Sequence, residues 1–328
     1  MSSLVKILDS HPLGKDEMRA AYVNALIQTA RGDERVVSVN NDLSSSTGTV
    51  PFTDAFPTRS FNVGIAEANG CGVAAGLSAV GFIPFYHSFA VFSSRRICDQ
   101  IFQSCAYAGL NVKVIGCDAG VSATYNGGTH MAFEDVGVLR SIPEITIVEP
   151  SDTAMMGALV PLIKDMYGVV YMRSPRKQAP DIYPPGTRFE LGKAALIREG
   201  GDVAIIAAGM MVVNALAAAD MLAAEGISAR VVDMFTIKPI DRDCIVDCAR
   251  HTGAVVTAEN HNIIGGLGSA VAEVLSEECP VPLVRVGVRD RFGEVGTQDY
   301  LMEILGLTPE DICRKAKEAL MRKKEHGK

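Results

Sequence analysis

The chain reads as an α/β protein of two consecutive domains, each built on a parallel sheet. Three observations lead there. Short β-rich runs alternate with helical patterns along the whole length. A chain of 328 residues has room for about two domains. A stretch with Pro175, Pro180, Pro184, Pro185 and Gly186 divides two such alternating series and reads as a linker.

In chain order, β-rich runs at 35–39, 112–117, 145–148 and 169–173 predict the strands of the first domain, residues 1–185. Runs at 203–207, 229–234, 254–258 and 283–286 predict those of the second, residues 186–328. An Ala-rich face over 212–224 predicts a helix between two of the later strands, and 309–324 reads as an amphipathic helix with a basic end. No repeat of fixed period and no low-complexity tract interrupts the pattern.

Composition excludes several function classes. The chain is 48% hydrophobic and 21% charged, enough to build real cores. A net charge of −7 argues against a nucleic-acid or anionic-membrane surface. The longest apolar run, 203–213, is too short to span a bilayer. The N-terminal residues lack the pattern of a signal peptide, and the eight cysteines are scattered. Reduced thiols in a cytoplasmic protein are expected.

Four clusters carry chemistry. Asn41-Asp42-Leu-Ser-Ser-Ser46 follows a strand, at the edge where open α/β sheets bind ligands; otherwise it is a capped turn. Arg59-Ser-Phe-Asn-Val-Gly-Ile-Ala-Glu67-Ala-Asn69 leads into a helix of small residues containing Gly70, Gly72 and Gly76. Glycines in a helix suggest close approach by another backbone or a ligand. Glu67, at its head among uncharged neighbours, is expected to be poorly solvated with a raised pKa. Its plainer role is to complement the helix dipole. Phe89 and Phe92 stand three apart, which in a helix puts them on one face, the spacing of ordinary core aromatics. Tyr125-Asn126-Gly-Gly-Thr-His130-Met131 reads as an irregular loop whose histidine can donate to a hydroxyl or exchange a proton near neutral pH. Gly265-Gly-Leu-Gly268 lacks phosphate-loop spacing and reads as a tight strand-to-helix turn.

Taken together, these segments resemble the pyrimidine-binding and C-terminal domains of transketolase. The Glu67 segment resembles the family's catalytic-glutamate segment. Gly81-Phe-Ile-Pro-Phe-Tyr-His-Ser-Phe-Ala-Val-Phe92 resembles its aromatic cofactor pocket, and Asn41 to Ser46 its early Asp-Leu segment. The second half continues the match in order through Gly201-Asp-Val-Ala-Ile-Ile-Ala-Ala-Gly209, Ile237-Lys-Pro-Ile-Asp241, Thr257-Ala-Glu-Asn260 and Gly287-Val-Arg-Asp-Arg-Phe-Gly293. No single segment is specific, but the ordered set is.

The resemblance implies the small subunit of a split transketolase that uses thiamine diphosphate. An N-terminal partner subunit would hold the diphosphate and its Mg²⁺ or Ca²⁺, since a Gly-Asp-Gly…Asn metal segment is missing here. An assembly of two large and two small subunits is expected, with sugar phosphates as substrates. Glu67 and His130 take catalytic roles by this resemblance. Asp42, Ile65, Glu67, Phe89, Phe92 and Arg95 take cofactor contacts. Arg19, Ser46, Asp118, Asn126, His130 and Arg173 take substrate contacts, with Arg19, Ser46 and Arg173 gripping a distal phosphate.

The chain departs from the family at Asp118, which stands where transketolases carry a histidine, and at Thr124-Tyr125-Asn126 and Met131. Asp118 would repel a phosphate dianion, so an altered donor or acceptor is expected. Arg95 and Arg96 keep open a deoxyxylulose-phosphate-synthase-like half-enzyme. A 2-oxoacid dehydrogenase β subunit shares the two-domain plan. A non-catalytic regulatory partner is the alternative of another class.

Overall fold

A computed structural model of the chain describes residues 4–326. The strands in chain order are β1 Leu13–Glu17, β2 Val36–Asn40, β3 Ser60–Asn62, β4 Ile83–Phe89, β5 Lys113–Cys117, β6 Thr146–Val148, β7 Val170–Ser174 and β8 Gln178–Pro180. They continue with β9 Ala195–Arg198, β10 Val203–Ala207, β11 Ala229–Asp233, β12 Thr236–Lys238, β13 Val255–Asn262 and β14 Leu283–Val288. One sheet runs β12-β6-β7-β5-β4-β2-β3 and the other β14-β13-β10-β11-β9, with β1 and β8 forming a separate antiparallel pair. Both large sheets are parallel except at one edge, where β12 and β9 run antiparallel to their neighbours.

Strands β2, β5, β7, β10 and β11 are buried at every position. Helices cover both sheet faces, which is why these strands appear in the sequence as apolar runs rather than alternating ones. Strand β12 comes from the later half of the chain yet joins the first sheet beside β6. The two halves are therefore stitched through a shared sheet edge. The helices expected over 212–224 and 309–324 form as Met211–Ala224 and Pro309–His326.

Four early helices set the site: α1 Met18–Gly32, α2 Ser44–Thr47, α3 Val50–Ala55 and α4 Glu67–Ala79. The aromatic pair does not lie on a helix. Phe89 ends β4 and Phe92 lies in the turn that follows, where its amide donates to the Phe89 carbonyl at 2.8 Å. The turn at 265–268 joins β13 to the helix Leu267–Glu278. Its leading amides, Leu267 and Gly268, donate to the Glu259 carboxylate at 2.7 and 2.9 Å. The chain's own glutamate thus takes the place a phosphate would need. All eight cysteines are free. No helix of the described residues is long and apolar enough to cross a membrane.

Candidate active site

The carboxyl ends of β2, β4, β5 and β7 form one edge of the first sheet. Register places Phe89 beside Cys117 and Cys117 beside Ser174. Residues just past that row face the crevice where ligands bind in such sheets.

Glu67 is the first residue of α4 and its side chain is 5% exposed. Its neighbours are not all uncharged. Arg96 Nη1 donates to Glu67 Oε2 at 3.2 Å, while the same guanidinium lies 4.3 Å from the centre of the Phe92 ring. Sequence reading missed this pair because 29 residues separate its members. One planar cation therefore bridges the carboxylate and an aromatic wall, and shows that the two lie within reach of a single flat group. His130 packs edge to face against both Phe89 and Phe92, with the imidazole 5.7 and 5.4 Å from the two phenyl centres. Arg95 points elsewhere, to Glu134 at 2.9 Å. Ile65, in the loop ahead of α4, is 78% exposed.

Gly70 has a local reason to be glycine. A methyl there would sit 2.5 Å from Asn41 Oδ1, whereas Gly72 and Gly76 face open space. Asp42 adopts a left-handed φ of 60° and is tied to β3. Its amide donates to Asn62 Oδ1 at 3.0 Å, and Asn62 Nδ2 returns a bond to Asp42 Oδ1 at 3.2 Å. Beneath the edge, His87 is fully buried, with Nε2 2.7 Å from the Tyr22 hydroxyl. Burial pushes its pKa down to about 4.

His130 is held from both halves of the molecule. Its amide donates to Gly127 at 3.0 Å and its Nδ1 lies 3.0 Å from the Thr129 hydroxyl. Across from this loop sits the segment 289–296. A methyl on Gly128 would lie 2.3 Å from the Gly293 carbonyl oxygen, and one on Gly293 would lie 2.3 Å from Met131 Sδ. Two glycines thus let the second half of the chain clamp the histidine loop. Asn126 is exposed on that loop beside Tyr125.

A second group gathers around Asp118, the first residue past β5. Its side chain is buried and its amide donates to the Ser174 carbonyl at 3.0 Å. Arg176 Nη2 lies 2.8 Å from Asp118 Oδ2, an ion pair whose guanidinium N–H is not aligned for a hydrogen bond. Burial raises the Asp118 pKa to about 6, against the pull of Arg176, Lys177 and Arg19. Arg19, on α1, donates to Glu17 at 2.6 Å and to the backbone carbonyls of Ser45 and Ser46, each at 3.3 Å. The Ser46 contact is thus through its carbonyl rather than its hydroxyl. Arg19 lies across Gly48, whose missing methyl would be 3.2 Å away at a φ of 78°.

Arg173 does not join this group, contrary to its expected role on a distal phosphate. It is buried within β7 and its guanidinium is spent. Nε bonds Asp135 at 2.8 Å, Nη1 bonds Glu149 at 2.7 Å, and Nη2 bonds the Asn260 carbonyl at 2.9 Å. The cation that reaches the crevice is Arg176, three residues on. Pro175 was the available signal, since it marks the end of the strand and so the first position free to turn outward.

The fold and this edge define a two-domain α/β chain in which a buried carboxylate stands beside an aromatic wall, with a cluster of Asp118, Arg176 and Arg19 past the neighbouring strand. Residues 15–181 match the transketolase pyrimidine binding domain and residues 192–312 the transketolase C-terminal domain. The chain belongs to the transketolase family. It is 53% identical over 306 residues to the 6-deoxy-6-sulfo-D-fructose transketolase subunit SqwH of Clostridium sp. (strain MSTE9), covering 93% of this chain and 95% of that one. It is 38% identical over 301 residues to one of the subunits of the apulose-4-phosphate transketolase of Phocaeicola vulgatus, covering 92% and 96%. A solved structure described as "Split gene transketolase, inactive beta4 tetramer" superposes with a TM-score of 0.88 at 47% identity, covering 94% of this chain and all of that one.

Proposed function

We propose that this chain is the pyrimidine-binding subunit of a two-chain transketolase. With an N-terminal partner it moves a two-carbon ketol unit from a ketose with an anionic terminus to an aldose. The favoured donor is 6-deoxy-6-sulfofructose, after the substrate named for the relative at 53% identity. The single observation that carries the reading is Glu67, buried at the head of α4 and joined to Phe92 through one guanidinium.

The residues present fit an aminopyrimidine: an acid that can meet a ring nitrogen, and apolar walls for the ring faces. Bound there, thiamine diphosphate would supply the electron sink for cleaving the bond beside the ketose carbonyl. Glu67 would hold a proton on its carboxyl oxygen and hydrogen-bond the pyrimidine. Arg96 must give up its contact for this to happen. Phe89 and Phe92 would exclude water from that hydrogen bond. His130 would donate to a hydroxyl or carbonyl oxygen of the donor. Asp42 and Ile65, on exposed loops at the same edge, would meet the cofactor where the partner subunit closes over it. The diphosphate and a divalent cation, Mg²⁺ or Ca²⁺, fall to that partner in an assembly of two chains of each kind. A related β4 tetramer described as inactive supports a chain that needs its partner to work.

The test is to mix purified chain with its N-terminal partner, thiamine diphosphate and Mg²⁺, and to follow ketol transfer to glyceraldehyde 3-phosphate. Efficient turnover of 6-deoxy-6-sulfofructose, weak turnover of fructose 6-phosphate and none from either chain alone is expected. Turnover of pyruvate with glyceraldehyde 3-phosphate instead would replace this reading with the synthase-like one; of the two arginines that keep it open, only Arg96 stands at the site.

A further inference from the structure

Resting on that reading of the donor, we propose that Asp118 is the positioning residue that selects the donor by the charge of its terminus, admitting a monoanionic sulfonate and turning away a phosphate dianion. Three cationic side chains, Arg19, Arg176 and Lys177, act on Asp118. They come from two different elements, α1 and the segment after β7. Lys177 makes no ion pair among the described residues, and Arg176 is still 22% exposed on its side chain. Arg19 carries its own counter-ion in Glu17. Register puts the cluster one residue past the row that holds Phe89 and Cys117. Neighbouring strands are about 5 Å apart, so a six-carbon donor engaged at His130 can reach it with its far end.

With Asp118 ionised, its charge offsets Arg176 and that of Glu17 offsets Arg19, which leaves Lys177 as the excess cation. A sulfonate carries one negative charge at any ordinary pH. A phosphate monoester carries about 1.5 to 2 at neutral pH. The added charge of the phosphate gains little from a cluster already offset, and it feels a buried carboxylate that low local polarity does not screen. Asp118 itself is too deeply buried to touch the donor, so it acts through Arg176.

The experiment uses the reconstituted two-chain enzyme and three donors alike but for their termini: 6-deoxy-6-sulfofructose, fructose 6-phosphate and unphosphorylated fructose. Asp118→Asn should raise kcat/KM for fructose 6-phosphate relative to fructose by about tenfold or more, through KM with kcat little changed. The sulfonate donor should gain less. Asp118→Glu should restore the wild-type ratios. If Asp118→Asn does not assemble, Arg176→Gln serves in its place. It removes the cation in direct contact with Asp118 and should harm the phosphate donor more than the sulfonate. Equal effects on all three donors, in either variant, would reduce Asp118 to a structural role and overturn the proposal. Wild-type preference for fructose 6-phosphate over the sulfonate would sink the donor assignment instead. The phosphate-to-fructose ratio would still decide the role of Asp118.

Discussion

Replacing Arg173 with methionine separates a buried structural cation from a substrate ligand. The guanidinium is 1% exposed and meets two carboxylates that are themselves buried, Asp135 and Glu149. It also ties β7 to the second half of the chain through the Asn260 carbonyl. Removing one side of a buried ion pair costs about 3–5 kcal/mol, because the partner is left charged and unpaired. Two partners are left here, but the cost is bounded. Burial already raises the Glu149 pKa, so that carboxyl can take up a proton once the arginine is gone. Asp135 keeps the Tyr171 hydroxyl at 2.7 Å. A loss of about 4 kcal/mol follows, or a fall in melting temperature of roughly 6 °C for a chain of this length. Thermal unfolding of the isolated chain at pH 7.5 reads it directly. Combining Arg173→Met with Asp135→Asn and Glu149→Gln should recover most of the loss, since a neutral trio needs no counter-charge. A variant that melts like wild type but shows a KM for the anionic donor raised tenfold would refute the structural assignment and return Arg173 to the substrate.

Three further outcomes follow from the geometry. Gly128→Ala drives a methyl against the Gly293 carbonyl, so the His130 loop must shift. The expected result is a loss of about 1–3 kcal/mol in stability together with a fall in kcat of the reconstituted enzyme; an unchanged kcat would mean the clamp does not position His130. Gly76→Ala meets open space within α4 and should stabilise the isolated chain by about 0.5–1 kcal/mol in urea unfolding, so a loss of stability would contradict the exposed placement. His87 is neutral when folded, with a pKa near 4 against about 6.5 unfolded, so the unfolded chain binds the extra proton between those values. Its contribution is fully present above pH 6.5 and is lost as pH falls toward 4. The stability gap between wild type and His87→Gln should therefore shrink by about 3 kcal/mol from pH 7.5 to pH 4, and a constant gap would show that His87 is not buried neutral.

Much of the fold was legible because parallel strands buried on both faces announce themselves as apolar runs. The strands around 203–207 and 113–117 needed nothing more. Strand β4 was not recognised as one, since Pro84, His87 and Ser88 break its apolar pattern, although the fold buries all three. That also hid the true setting of Phe89 and Phe92, whose spacing imitates a helix while the chain makes a strand end and a turn. Strand β12 is three residues long and pairs far from its own half, so no local pattern marks it. Within the site, Glu67 at a helix head was legible from its flanking glycines and small residues. Its partner Arg96 was not, because side-chain pairing at long range leaves no periodic trace. The different settings of Arg173, buried in its ion pairs, and Arg176, partly exposed, have the same origin: sequence gives the cations, and only the strand's end tells which one turns outward.

On the proposed function, Glu67 is the acid this chain contributes to a site completed by its partner. The most direct measurement compares wild type and Glu67→Gln, each reconstituted with the N-terminal partner, thiamine diphosphate and Mg²⁺. Assembly is verified by sedimentation and ketol transfer by single-turnover kinetics. Intact assembly with a rate reduced by about 10²–10⁴ is expected. Intact assembly with an undiminished rate would contradict it.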